Sequence, residues 1–152
     1  HPVLISGQAS WERLTEMAAA VYKDVPGINR CIWNLGSTSV SQVRPVAAAV
    51  TRHRVDLLRE ADHIVMEGLR RHGLYDSIWQ CPTVLVPMEA DKAGSEFVIV
   101  RPIHSERAMT ATPAELTPAL VAELRTQILR LPEVSGLALD ITTKPPGTIE
   151  WE

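Results

Sequence analysis

Two short stretches, Val25-Pro26-Gly27-Ile28 and Leu131-Pro132-Glu133-Val134, decide the fold that the sequence predicts. Each follows a segment with apolar residues at helical spacing, and each leads into an apolar run typical of a strand. The first run ends at Leu35 and the second at Ile141. Because a short apolar strand also precedes each helix, the chain contains two β-α-β units that form an internal repeat. We therefore expect an α+β domain in which helices pack on a mixed β-sheet.

A helix and a strand separate the two units. The apolar period is strong from Val55 and predicts a helix that ends at Gly73. Pro82–Met88 predicts a strand whose two prolines lie where it enters and leaves the sheet. Asp91–Ser95 is typical of a hairpin connection to the next strand, Phe97–Val100, which is apolar enough to be covered on both faces.

The stretch from 36 to 54 gives weaker signals. Val46–Val50 is small and apolar, and it fits either a strand or a weak helix. Thr51-Arg52-His53-Arg54 is a short basic cluster. An exposed surface turn is the main interpretation of that cluster, and a phosphate contact is the minor alternative.

The composition is that of one globular domain. The 152 residues are 45% hydrophobic and 22% charged, which suffices for a core without disulfides or metal. A net charge of −3 argues against a dedicated nucleic-acid binder. Cys31 and Cys81 both lie in apolar runs and are interpreted as buried thiols. Since the sequence has no apolar stretch long enough to cross a bilayer and no signal peptide, we expect a cytoplasmic protein without a membrane partner.

The sequence contains no self-sufficient active site. The Gly-rich phosphate loops and the G-x-S-x-G pattern are absent. His63 and Glu67 lie four residues apart on the predicted helix but have no third ligand, so we expect no metal site. His104-Ser105-Glu106 is most simply a turn after a strand, because no general base can be named for it.

The C-terminal segment has a more specific composition. Lys144-Pro145-Pro146-Gly147 follows the last strand, and two successive prolines favour a stiff extended backbone with Lys144 at its start. Glu150, Trp151 and Glu152 lie at its other end. A frayed terminus is the ordinary expectation for a chain end. Frayed tails, however, seldom contain Pro-Pro, Ile and Trp within so few residues.

The tail resembles the C-terminal end of the GMP synthases, which close on a D-[IL]-[ST]-x-K-P-P-x-T-[IT]-E-W-E pattern. Asp140 to Glu152 follows this pattern. Further segments resemble the family in the same order: Leu58-Arg59-Glu60-Ala61-Asp62, Ile78-Trp79-Gln80, and Val100-Arg101-Pro102 with Ala108-Met109-Thr110. Residues 1–55 are similar to a longer form of the family, in which an extra β-α-β half precedes the standard domain, and Trp11-Glu12 and Asn29-Arg30 fit there.

The resemblance implies a function. GMP synthases make GMP from XMP, ATP and glutamine: a glutaminase domain releases ammonia, and an ATP pyrophosphatase domain adenylates the purine. Their C-terminal domain dimerises and completes the XMP site. Residues 1–152 correspond to that domain alone, with 1–55 as the extra half and 56–152 as the standard core. The glutaminase residues and the S-G-G-x-D-S loop for ATP are absent. We therefore expect either one part of a larger synthase or a separately encoded subunit, not competent alone.

Three residues match the XMP contacts of the family, namely Gln80, Lys144 and Glu150. The Lys144 ammonium suits a phosphate, and Gln80 both donates and accepts, which suits a purine edge or ribose. Glu150 only accepts, so it would bind ribose hydroxyls or orient Lys144. Arg101 is a weaker candidate, since it fits a structural ion pair or a dimer contact equally well. Ser135-Gly136-Leu137 stands where the family commonly has Asn-Arg-Val, so no arginine is expected to act there.

The resemblance also implies the partners. These are a second copy in a homodimer, XMP, and a synthetase domain that lies upstream or in a separate subunit. ATP and Mg²⁺ belong to the full enzyme, and this domain is expected to bind no cofactor itself. A sheet with too few helices to cover both faces independently favours a dimer. Two alternatives are a stand-alone protein-interaction module that kept the fold and lost the ligand, and an independent small enzyme.

Overall fold

The computed structural model describes residues 1–36, 40–91 and 94–151. The first half of this part of the chain contains β1 (Pro2–Ile5), α1 (Trp11–Asp24), β2 (Arg30–Asn34), β3 (Arg44–Pro45) and α2 (Arg52–Arg71). The second half contains β4 (Thr83–Glu89), β5 (Glu96–Val100), β6 (Ile103–His104), β7 (Thr112–Pro113), α3 (Pro118–Ile128) and β8 (Val134–Asp140).

The largest described sheet has the strand order β1-β2-β8-β5-β4-β3. Strands β1 and β2 are parallel, and so are β5 and β8, whereas β2 and β8 pair antiparallel in the middle. Each β-α-β unit thus contributes one parallel pair, and the two pairs meet at β2 and β8. The predicted α+β class with a mixed sheet is confirmed.

Each helix begins at a hydroxyl side chain. Ser10, Thr51 and Thr117 each accept a hydrogen bond from the backbone N–H three residues further on, which satisfies an amide that a helix start leaves unpaired. The surface turn predicted at 51–54 is therefore wrong, because Thr51 caps α2 and the next residues form its first turn. The helix begins at Arg52 instead of Val55. The boundary that the resemblance suggested between the extra N-terminal half (1–55) and the standard core (56–152) falls inside this helix.

Strand β4 is shifted from its prediction by one residue. Pro87 lies within the strand, opposite Glu96, and not at its end. The proline is tolerated because β4 borders only the two-residue β3 on its other side, so few ladder hydrogen bonds need a donor there. The Pro87 carbonyl accepts from the Val46 amide at 3.0 Å. Residues 46–50 form neither a strand nor a helix.

Two further differences concern connections. Ile103–His104 and Thr112–Pro113 form a small antiparallel hairpin that the sequence did not predict, because two-residue strands leave no period to detect. The connection predicted at Asp91–Ser95 includes residues 92–93, which lie outside the described residues.

The two faces of the sheet differ in what covers them. The helices α1, α2 and α3 pack on one face and form the main core with alternate residues of the strands, among them Ile5, Cys31, Val98, Leu137 and Leu139. On the opposite face, Ile32, Phe97, Ile99 and Ala138 form a second apolar cluster with partly buried neighbours. None of the described helices contributes a side chain to this second cluster.

The two cysteines are buried free thiols, as predicted. Burial raises the pKa of Cys81 to about 12 and also raises the pKa of Cys31. Both thiols therefore stay protonated near neutral pH and are poor nucleophiles. None of the described helices combines the length and the apolar character that a membrane span needs.

Candidate functional site

The C-terminal tail, residues 141–151, folds back on itself. The Gly147 amide donates to the Thr143 carbonyl at 3.1 Å, and Thr143 Oγ1 donates to the Pro145 carbonyl at 2.7 Å. The peptide bonds that precede Pro145 and Pro146 are both cis. The extended segment predicted here is wrong, because these hydrogen bonds close a turn around the two prolines. Nor is the tail frayed, since Ile149 is buried.

Arg101 holds the tail by its backbone. Its side chain is fully buried, and its guanidinium donates to three carbonyls: Nε to Ile149 at 2.9 Å, Nη1 to Thr142 at 3.1 Å and Nη2 to Thr148 at 2.8 Å. Nη1 also lies 2.9 Å from Asp140 Oδ1. Burial lowers the pKa of Arg101, and the charge of Asp140 opposes this shift. In this structure Arg101 has the structural ion-pair role that the sequence offered as its alternative.

Arg30 approaches the same tail from strand β2. It is 2% exposed, and its Nη1 donates to Asp140 Oδ2 at 3.0 Å. Nη2 donates to Thr148 Oγ1 at 2.7 Å and to the Glu150 carbonyl. The guanidinium carbon lies 5.1 Å from the centre of the Trp151 ring, and Trp151 Nε1 donates to Asp140 Oδ2 at 2.7 Å. Asp140 therefore joins two arginines and the tail indole in one buried network.

Two of the predicted site residues meet directly. Gln80 Nε2 donates to Glu150 Oε1 at 3.0 Å. The Gln80 backbone is fixed by a bridge to strand β6, where the Ile103 amide donates to the Gln80 carbonyl at 2.9 Å. The carboxylate of Glu150 is exposed, so it remains open to a ligand as well as to Gln80.

The third predicted residue, Lys144, contacts the β6–β7 hairpin. Its Nζ donates to the Ala108 carbonyl at 2.6 Å. Its backbone exchanges two hydrogen bonds with Ala111, at 2.8 and 3.1 Å. A cleft of about 610 Å³ lies over the hairpin loop, and Ala111 lines it together with His104 and Arg107. The hairpin thus bonds to Gln80 through β6 and to Lys144 through Ala111, and Glu150 is connected to it through Gln80.

The arginine that the family commonly has on β8 has no room in this chain. A side chain on Gly136 would overlap the ring of Phe97, which is itself completely buried. Because protein cores are close-packed, an arginine at this position would have to displace Phe97. The absence predicted from the sequence therefore has a physical cause.

Two other features lie apart from these residues. A cleft of about 660 Å³ between α1 and α3 is lined by Trp11, Trp33 and Arg125 among others, and by none of the predicted site residues. Within the described ranges, no three His, Cys, Asp or Glu side chains lie together in a way that could hold a metal ion.

Comparison with known proteins identifies the family of this tail and hairpin. The family model described as GMP synthase C terminal domain matches residues 67–151, more than half of the chain. The chain belongs to this family. The resemblance seen in the tail pattern is thereby confirmed.

Curated relatives agree with the family model. The probable glutamine-hydrolysing GMP synthase of Leptospira interrogans is 34% identical over 99% of this chain and 25% of its own length. The GMP synthases of Streptomyces avermitilis and Thermobifida fusca are 43% and 42% identical, each over 70% of this chain and 22% of their own length. The chain therefore spans about a quarter of the relatives that it matches. The family model begins after Arg30, whereas the alignment with the Leptospira relative also covers nearly all of the N-terminal half.

Proposed function

We propose that this domain completes the XMP site of a GMP synthase that aminates XMP to GMP with ATP and glutamine. The observation that supports this best is the hydrogen bond between Gln80 and Glu150. It joins two residues that are 70 positions apart in the sequence and that match XMP contacts of the family. In the proposed site, the Glu150 carboxylate accepts from ribose hydroxyls, and Gln80 contributes both donor and acceptor atoms to the nucleotide.

The phosphate of XMP is assigned to Lys144. An ammonium has three donors, and the Ala108 carbonyl accounts for one of them. The remaining donors can bind phosphate oxygens, and hydrogen bonds between an ammonium and a phosphate are strong because both partners are charged. The domain itself then contributes binding and orientation. ATP, Mg²⁺ and the adenylation step belong to a synthetase domain outside this chain, so the chain alone does not aminate XMP. Such an enzyme acts in the cytoplasm.

Removal of the Glu150 carboxylate tests the site. In a GMP synthase that contains this domain, we expect Glu150→Ala to raise the KM for XMP about tenfold, since a hydrogen bond to a charged group contributes roughly 1.5–3 kcal/mol. The KM for ATP should not change. The matched control is Glu60→Ala, which removes an exposed carboxylate from α2. The assay is steady-state GMP formation from XMP, ATP and ammonia. A wild-type enzyme without this activity, or equal effects of the two variants, contradicts the proposal.

A homodimer is the second part of the proposal. It is supported by the apolar sheet face that lacks a helix, where Val84, Val86 and Met88 of β4 are only partly buried. A second copy related by a two-fold axis would bury these side chains against their own equivalents.

Sedimentation velocity at micromolar concentration tests this dimer. We expect a species of twice the 16.8 kDa chain mass. Val86→Glu should shift it toward the monomer, because it puts a charge into the apolar interface. Val25→Glu is the control, since Val25 is 45% exposed and directly follows α1, which packs on the opposite face of the sheet. A wild-type chain that sediments only as a monomer rules this dimer out.

A further inference from the structure

We propose that Arg30, a residue of the N-terminal half that the family model does not cover, is a positioning residue for the XMP site. It holds the backbone of Glu150 so that the carboxylate of this residue meets Gln80. This inference rests on the proposed function, because it names a further residue that acts on the same site.

The contacts of Arg30 converge on Glu150. Nη2 donates both to the Glu150 carbonyl and to Thr148 Oγ1, which lie 120 and 118 residues away in the sequence. Thr148 Oγ1 in turn donates to the Glu150 carbonyl at 2.6 Å. One carbonyl oxygen therefore accepts from the arginine and from the threonine. The guanidinium also lies against the ring of the next residue, Trp151. The position of the Glu150 main chain is thus set from strand β2.

The two arginines of the network hold different parts of the tail. Arg101 binds the carbonyls of Thr142, Thr148 and Ile149 and makes no bond to Glu150. Arg30 is the described side chain that reaches the Glu150 backbone from another element. If Arg30 is shortened, Asp140 still accepts from Arg101 and from Trp151. The fold and the placement of Glu150 are therefore separable by mutation.

The internal repeat explains why this arginine comes from β2. When Pro26 is aligned with Pro132, Arg30 falls opposite Gly136. Strand β8 needs a glycine at this position, because a side chain there would overlap the ring of Phe97. Of the two equivalent positions in the repeat, only the one on β2 can therefore be an arginine. Because β2 and β8 are antiparallel neighbours, the Arg30 side chain reaches across to Asp140 and to the tail that follows β8.

The test uses Arg30→Met and Arg30→Lys in a GMP synthase that contains this domain. With XMP, ATP and ammonia as substrates, we expect Arg30→Met to raise the KM for XMP about tenfold or more, since small misplacements of a binding group have large effects. The KM for ATP should change less than about twofold, because the proposed function assigns ATP to a synthetase domain outside this chain. Arg30→Lys should restore part of the loss, since one ammonium can replace one of the two donor groups. Arg13→Met, in the exposed pair with Glu16 on α1, is the matched control.

A second measurement follows the tail independently of catalysis. NMR relaxation of the backbone amides of Glu150 and Trp151 should show larger motion in Arg30→Met, because the Glu150 carbonyl loses its bond to Arg30, while the amides of β8 stay rigid. Thr148→Val provides a milder variant, because it removes the hydroxyl between Arg30 and Glu150 without leaving a charge unpaired. It should raise the KM for XMP in the same direction, and it decides the question if Arg30→Met does not fold.

Each outcome has a defined meaning. An unchanged KM for XMP in Arg30→Met overturns the positioning role, even if the tail amides become more mobile. A parallel rise in the KM values for XMP and ATP, with greater mobility throughout β8, also overturns it and makes Arg30 merely structural. A wild-type enzyme that does not aminate XMP fails at the proposed function itself, and the inference about Arg30 falls with it. The two failures can be distinguished, because the proposed function is tested on the wild-type enzyme and the role of Arg30 on the variants.

Discussion

Asp140→Ala is expected to lower the free energy of unfolding by about 3–5 kcal/mol, because it leaves two buried arginines without their anion. Arg30 and Arg101 are 2% and 0% exposed, and both donate to Asp140. The Asp140 carboxylate also accepts from Trp151 Nε1 at 2.7 Å and from the Thr142 amide at 2.9 Å. An alanine would therefore leave several buried donors unsatisfied at once. Urea unfolding followed by circular dichroism measures the change.

The control for this prediction is Asp56→Ala. Asp56 also lies beside two arginines, Arg52 and Arg59, but its side chain is 52% exposed and those of its partners are 94% and 72% exposed. Exposed ion pairs contribute about 0–1 kcal/mol, so this variant should unfold almost like the wild type. Two variants of equal stability would mean that the Asp140 network is not what holds the tail on the sheet.

The sequence predicted those parts of the fold that depend on local patterns. The two β-α-β units follow from apolar periodicity and from Pro26 and Pro132. Their parallel strand pairs follow from the connection through a helix. The antiparallel contact of β2 with β8 was not predictable, because it joins residues such as Ile32 and Asp140 that are far apart in the sequence. The β6–β7 hairpin was missed because its strands are only two residues long.

The candidate site was predicted as a set of residues, and its supporting structure was not. Gln80 and Glu150 came from the family resemblance, and the structure brings them within 3.0 Å of each other. The anchoring of the tail was unforeseen, because Arg30 acts over more than a hundred positions of sequence. The signal that could have pointed to it is the charge at the start of β2, Arg30-Cys31-Ile32-Trp33-Asn34. A buried strand tolerates such a charge only where a partner neutralises it.

The turn in the tail could not be predicted from local sequence preferences either. Two prolines favour an extended backbone in isolation, but here hydrogen bonds from Gly147 and Thr143 close the chain. The long-range contacts of Arg101 with the carbonyls of Thr148 and Ile149 then hold the residues beyond that turn. Tertiary contacts thus override the local preference, and they determine where Lys144 and Glu150 lie relative to the hairpin.

In a GMP synthase that contains this domain, Lys144→Glu is expected to raise the KM for XMP about a hundredfold, with little effect on the KM for ATP. A charge-assisted hydrogen bond contributes roughly 1.5–3 kcal/mol, and the reversed charge adds repulsion of the phosphate. The loss should shrink at high salt, where the charges are screened. Lys144→Met keeps most of the length of the side chain and removes the ammonium without adding a negative charge, so its effect should be smaller.

The structure refines what this variant should do to the fold. The two hydrogen bonds between Lys144 and Ala111 involve backbone atoms only, so they persist in Lys144→Glu, and only the bond from Nζ to the Ala108 carbonyl is lost. The free energy of unfolding should therefore fall far less than in Asp140→Ala. Lys23→Glu, an exposed lysine in the last turn of α1, is the matched charge reversal and should leave XMP kinetics unchanged. If Lys144→Glu destabilises the domain as much as Asp140→Ala, then the Lys144 side chain stabilises the hairpin and the phosphate is bound elsewhere. The same assignment fails if Lys23→Glu raises the KM for XMP equally.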